Sequence, residues 1–170
     1  MKNPLAVVFR VAGALYAIPC IKIAEVVPLV SLHGIPQSPE WLVGALVHRG
    51  SLIPVVDMCQ LIGGYACPIR LSSRVVLANC LLADGRSQMT GLLAEKMTEA
   101  RRLNTARVEG VPLNATPYLG EILLEGEALL QMLDVDQLLS GSGSPVATYF
   151  AHAHDRRLET REAYRSAAQS

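Results

Sequence analysis

Short apolar runs, broken by glycines, prolines and acids, dominate the chain and predict strands. LAVVFRV, Leu5 to Val11, is rich in β-branched and aromatic residues and ends just before Gly13, a turn residue. The pattern resumes as LYAIPCIKIAEVV with a bend at Pro19. From Ile21 to Val27 the two-residue period of a strand places Ile21, Ile23 and Glu25 on one face. Prolines 28, 36 and 39 then exclude ladder pairing and a long helix, leaving a loop. Ser38, followed by Pro39, starts one short helical turn there as N-cap. Further strands are expected over Arg74 to Leu82 and Gln88 to Leu103, with a turn at Asp84-Gly85 between them.

Part of this pattern is written twice. Gly44 and Gly50 enclose an apolar strand, as do Gly120 and Gly126 at the same interval, and each second glycine leads into another apolar strand ending at an aspartate, Asp57 or Asp134. Three residues on stands a glutamine, Gln60 or Gln137. That spacing is a capping box: the aspartate accepts from the N–H groups of the turn it opens, and the glutamine reaches back. The second copy carries one extra residue between glycine and aspartate. Two related small barrels in one domain account for the repeat.

Composition sets the scale and removes several functions. In 170 residues half the positions are apolar, enough for a chain of this size to bury roughly 70% of its unfolded surface. Fifteen basic residues balance fifteen acidic ones, so no field gathers phosphates and nucleic acid is not an expected partner. Cys20, Cys59, Cys67 and Cys80 lie in or beside apolar runs without a C-x-x-C pair and are expected as core thiols. Arg10 interrupts the apolar N-terminal stretch, so an export signal is not expected, and no other run is long enough to span a membrane. These features predict a cytoplasmic protein without membrane insertion.

Chemical motifs are sparse. His33, His48, His152 and His154 belong to no H-E-x-x-H and no Cys/His cluster, so no metal site and no cofactor is expected. A nucleophile elbow, a P-loop and a dinucleotide-binding glycine string are all missing. Catalysis needs a nucleophile, a base and an orienting group in contact, and no local stretch supplies two of them. The expectation is a protein without enzymatic activity. A small β-barrel enzyme or ligand-binding domain without a recognisable motif is the alternative.

YAIPCIKIAEVV, GALVHRGSLIPVVDM, RVVLANCLLADGRSQMTGLLAEKMTEARRL and YLGEILLEGEALLQMLDVDQLL, in that order over Leu5 to Leu139, resemble a CheW-type coupling domain of bacterial chemosensory arrays. The resemblance implies a mainly β fold of two small SH3-like barrels around a shared core. It also implies a scaffold role at membrane-associated receptor arrays, joining the cytoplasmic tip of a methyl-accepting receptor to a CheA-type histidine kinase whose regulatory domain shares the fold. The family's receptor-facing strand is matched by Ile23 and Glu25, and its hairpin by Gly44, Val47 and Arg49. Family members usually place Asn-Leu before the Arg-Gly pair, whereas this chain has Val47 and His48. An ion pair between Glu25 and Arg49, with Ile23 as the adjoining apolar contact, is the expected centre of the site.

The tail departs from the minimal coupling fold. SGSGSP, Ser140 to Pro145, reads as a flexible linker, and the alanine-rich, mixed-charge segment after it as a helical extension. The expected division is a coupling domain over 1–140 and a linker with a helical extension over 141–170. Such an extension suggests service in an alternative pathway, one ending in a cyclic-di-GMP synthase.

Overall fold

The structure, a computed structural model, describes residues 3–82, 84–97, 99–109 and 116–169; Thr98, within the expected strand run 88–103, lies outside them. The strands are β1 (Leu5–Val11), β2 (Ala14–Pro19), β3 (Ile23–Pro28), β4 (Leu42–His48), β5 (Ser51–Asp57), β6 (Arg74–Leu81), β7 (Ser87–Leu93), β8 (Ala100–Arg102), β9 (Ala106–Arg107), β10 (Leu119–Glu125) and β11 (Ala128–Leu133). Two helices close the chain, α1 (Val135–Ser140) and α2 (Pro145–Ala168). One sheet has the order β8-β1-β2-β11-β10-β9 and the other β3-β6-β7-β5-β4. The expected class is found: two curled sheets on a shared core, short helical turns and a C-terminal helix.

The repeat is visible in the pairing. Each sheet joins two antiparallel hairpins through one parallel pair, β2 beside β11 in the first and β7 beside β5 in the second. In the hairpins that carry the repeat, β4–β5 and β10–β11, the first strand is bulged near its start, and the closing aspartate donates its N–H to a residue just before that strand: Asp57 to the Trp41 carbonyl at 2.7 Å, Asp134 to the Tyr118 carbonyl at 2.9 Å. The two hairpins are equally long, each with a two-residue turn, and the extra residue counted from glycine to aspartate in the second copy reflects where the glycine sits in that turn. Arg49 and Gly50, both with positive φ, form a two-residue turn in which glycine comes second, whereas Gly126 comes first in the other.

Both sheets curl until their ends meet. Only residues 103–105 separate β8, paired with β1, from β9, paired with β10. Across that closure Arg101 and Glu125 form a two-pronged ion pair at 2.5 and 2.7 Å, whose hydrogen bonds hold the Glu125 carboxyl below its usual range. In the second sheet the edge strands β3 and β4 meet where Glu25 lies 3.0 Å from His48.

Strand β1 shows how one core serves two barrels. By strand alternation Val7, Phe9 and Val11 enter the main core with Val55, Val56, Val75, Leu77, Leu92 and Leu138, while Ala6 turns to a smaller cluster with Ala17, Leu103, Leu123 and Leu130. One face of β1 is therefore buried from Val7 to Val11 and the other at Ala6, opening to solvent at Arg10. Within this apolar interior the Thr90 hydroxyl is fully buried and has no hydrogen-bond partner among the described residues. Thr90→Val is expected to raise stability by about 1 kcal/mol, measured as a higher urea midpoint with an unchanged slope.

Four local expectations are corrected. Ile21 falls in a single 3-10 turn, Cys20–Lys22, and is 83% exposed, so it does not share a face with Ile23 and Glu25. The turn after Ser38 is a single hydrogen-bonded turn, Leu42 N–H donating to the Pro39 carbonyl at 3.0 Å, rather than a helix, and the Ser38 hydroxyl donates to the Leu42 carbonyl instead of capping it. Gln60 does not reach back to Asp57 but donates to Glu40 at 3.0 Å, because the π-helical turn Cys59–Gly63 leads it elsewhere. The stretch expected as a flexible linker is a closed turn: Ser144 is buried, donates to the Leu138 carbonyl at 2.5 Å and caps α2, and Val146 is fully buried in the main core.

Candidate functional site

The Arg49-Gly50 turn presents a polar cluster on the second barrel. Two-residue turns of this hand need positive φ at both centres, which costs little for glycine but strains arginine, here at φ 48°. The turn brings His48 and Arg49 onto β3, with His48 Nε2 3.0 Å and Arg49 Nη2 3.4 Å from Glu25 Oε2. The expected Glu25–Arg49 pair is present, and His48 makes the shorter contact. Arg49 remains 78% exposed, so most of its donors face solvent.

These residues edge an open groove of about 720 Å³ at the mouth of the second barrel, with side chains from all five of its strands. Ala24 and Glu25 come from β3, His48 from β4, Leu52 and Pro54 from β5, Asn79 from β6, and Gln88 and Met89 from β7. One wall comes from outside the barrel: Phe150 of α2. Apolar groups flanked by polar ones suit an amphipathic helix, whose apolar ridge lies inward and whose polar edge is read by the rim.

The other sequence-predicted residues stand at different depths. Val47 is 56% exposed and lies directly across the ladder from Leu52, which is 65% exposed and lines the groove. Ile23 is half-buried against the main core. Gly44 is buried beneath the 32–33 backbone, which bridges to Ala45; a Cβ at Gly44 would meet the His33 carbonyl oxygen at 2.8 Å. It therefore shapes the hairpin from below. His48, Leu52, Met89 and Phe150 were not predicted. His48 is marked only by its departure from Asn-Leu, and Phe150 lies more than 90 residues from its groove neighbours on β3 to β5.

A second cluster lies in the core. Asp57, Cys59 and Cys67 bring ligand-type atoms within 4.8 Å of one another. Asp57 Oδ1 accepts from the Cys59 and Gln60 N–H groups at 2.9 and 3.1 Å, and Oδ2 from Cys67 N–H at 2.8 Å. Donation to Cys59, together with burial, pushes the Cys67 thiol up, so it stays protonated and is a poor nucleophile. The same contact draws Cys59 down. A carboxylate already holding three backbone donors is a clasp between the turn after β5 and the loop at Cys67.

Comparison with known proteins matches residues 5–142 to the family model described as the CheW-like domain. The chain belongs to the CheW-like domain family. It is 24% identical over 137 residues to a chemotaxis protein CheW of Helicobacter pylori, covering 77% of this chain and 78% of that protein. A CheW of Klebsiella aerogenes is 24% identical over 153 residues, covering 86% and 88%. The solved scaffolding protein TtCheW of Thermoanaerobacter tengcongensis shares the fold at a TM-score of 0.67, with 24% identity, 85% of this chain and 92% of that one. The CheW-like match thus contains both barrels, Glu25 and Arg49, and stops before α2. Among the described residues no helix is long and apolar enough to cross a membrane.

Proposed function

We propose that this CheW-like chain is a non-catalytic cytoplasmic scaffold coupling the cytoplasmic tip of a methyl-accepting chemoreceptor to the regulatory domain of a CheA-type histidine kinase in a membrane-associated array. The observation that carries the reading is the family match across both barrels, since the relatives it resembles are chemotaxis and scaffolding proteins. The groove at the second barrel's mouth supplies the receptor seat. Glu25 and Arg49 set the polar edge, Val47 extends the apolar surface beyond Leu52, and Ile23 and Gly44 support the two strands from beneath. In the groove His48 is paired with Glu25 at 3.0 Å, and among the described residues no serine of the lining is hydrogen-bonded to it, which favours binding over chemistry.

Charge reversal tests the seat. Glu25→Lys gathers cations at one rim and Arg49→Glu gathers acids, and each is expected to weaken receptor co-sedimentation at least about tenfold, because misplaced charge is penalised at an interface. Each is expected to change folding stability by no more than about 1 kcal/mol, as Arg49 is exposed and Glu25 only half-buried. The double exchange recovers part of the binding. Unchanged co-sedimentation in both single variants defeats the assignment. Arg49→Asn is a sharper variant: asparagine tolerates positive φ, so stability rises by about 1 kcal/mol while binding falls.

A further inference from the structure

The helix α2 begins beyond the CheW-like match, yet it is fixed to the barrel rather than trailing from it. Ser144 caps it from a buried position, Val146 is in the main core, and Tyr149 meets Trp41 edge to face at 5.6 Å between ring centroids. One turn later His154 lies 3.9 Å from Asp84, in the turn between β6 and β7. The Ser144 cap, Val146 and Tyr149 hold Phe150, half-buried, as a wall of the groove that Glu25, His48 and Arg49 also line.

We infer that Phe150 is a specificity-determining contact for the receptor, so that partner choice in this chain is set partly by a helix outside the CheW-like domain. The inference rests on the receptor reading of the groove. The occupant is an amphipathic helix of the receptor tip with an apolar ridge and a carboxylate at its edge. Leu52, Met89 and Phe150 offer that ridge an apolar track, and an aromatic side chain adds contact area at low entropic cost. Arg49, exposed and only loosely engaged by Glu25, is left to meet the carboxylate.

The test uses the full chain and soluble coiled-coil fragments carrying the cytoplasmic tips of methyl-accepting receptors from the same genome. Phe150→Ala is expected to weaken binding at least about tenfold, as for a central aromatic contact, and Phe150→Met to retain most of it. Because Phe150 also touches the core, the second measurement keeps the aromatic ring: benzoylphenylalanine at position 150 is expected to photo-crosslink to the bound tip, and the same group at the exposed Tyr164 is not. Wild-type affinity in Phe150→Ala, or no crosslink from position 150 under saturating tip, overturns the inference while Glu25→Lys still weakens binding. If Glu25→Lys and Arg49→Glu also bind normally, the receptor reading of the groove falls, and the inference with it.

Discussion

Asp57→Ala is expected to destabilise the protein by about 3–5 kcal/mol, several times the cost of an ordinary cap. The carboxylate is 3% exposed and holds three backbone donors, two of them buried. Alanine leaves those donors without partner or water, and losing a charged acceptor costs about 1.5–3 kcal/mol per hydrogen bond before relaxation. Asp57→Asn is not neutral either. Its single oxygen serves Cys59 and Gln60, which turns its NH2 toward the Cys67 N–H, donor against donor, at a cost of about 2 kcal/mol. Asp134 provides the internal control. Its carboxylate is exposed and, among the described residues, accepts from Gln137 N–H alone, at 3.0 Å, so Asp134→Ala is expected to cost about 1 kcal/mol. Urea unfolding of the three variants checks the ranking, and equal losses at Asp57 and Asp134 contradict it.

Deleting residues 146–170 is expected to cost about 3–5 kcal/mol and to expose apolar surface, read as a lower melting temperature and dye binding. The deletion removes Val146 from the core, the Tyr149–Trp41 contact and the packing of Phe150, and it leaves Ser144 buried with no helix to cap. Against a total stability of about 5–15 kcal/mol this loss decides whether the barrels stay folded at working temperature. Deleting only 155–170 is expected to change stability by less than about 0.5 kcal/mol, since every described residue from Asp155 onward is exposed. A stable, monomeric 1–145 fragment with the full-length melting temperature contradicts the assignment of α2 to the fold.

What the sequence shows of this fold depends on whether the determining contact is local. The paired glycines and aspartates are legible because turn conformation and capping act within a few residues, and they lead to both repeated hairpins. Ile21 is misplaced because nothing local marks the change from a 3-10 turn to strand at Ile23. Asp57 and Asp134 look alike in sequence, yet only Asp57 is covered and joined by a third donor ten residues away. Gly/Ser composition signals a flexible linker, but the hydroxyl of Ser144 finds a buried carbonyl once α1 is in place. At the candidate site Glu25 and Arg49 are legible through the family resemblance. His48 and Phe150 are not, because one departs from the usual pattern and the other arrives by tertiary packing from a helix without an apolar stripe.

The central claim is that one chain holds a receptor and a kinase together. The direct measurement is co-sedimentation of the kinase's regulatory domain with receptor-bearing membranes, with and without this protein. The proposed coupling role predicts that the kinase domain pellets only when the wild-type chain is present, and that Glu25→Lys, which keeps the fold but loses the receptor seat, fails to recruit it. Kinase pelleting that is independent of this chain, or no association of the chain with either partner, contradicts it.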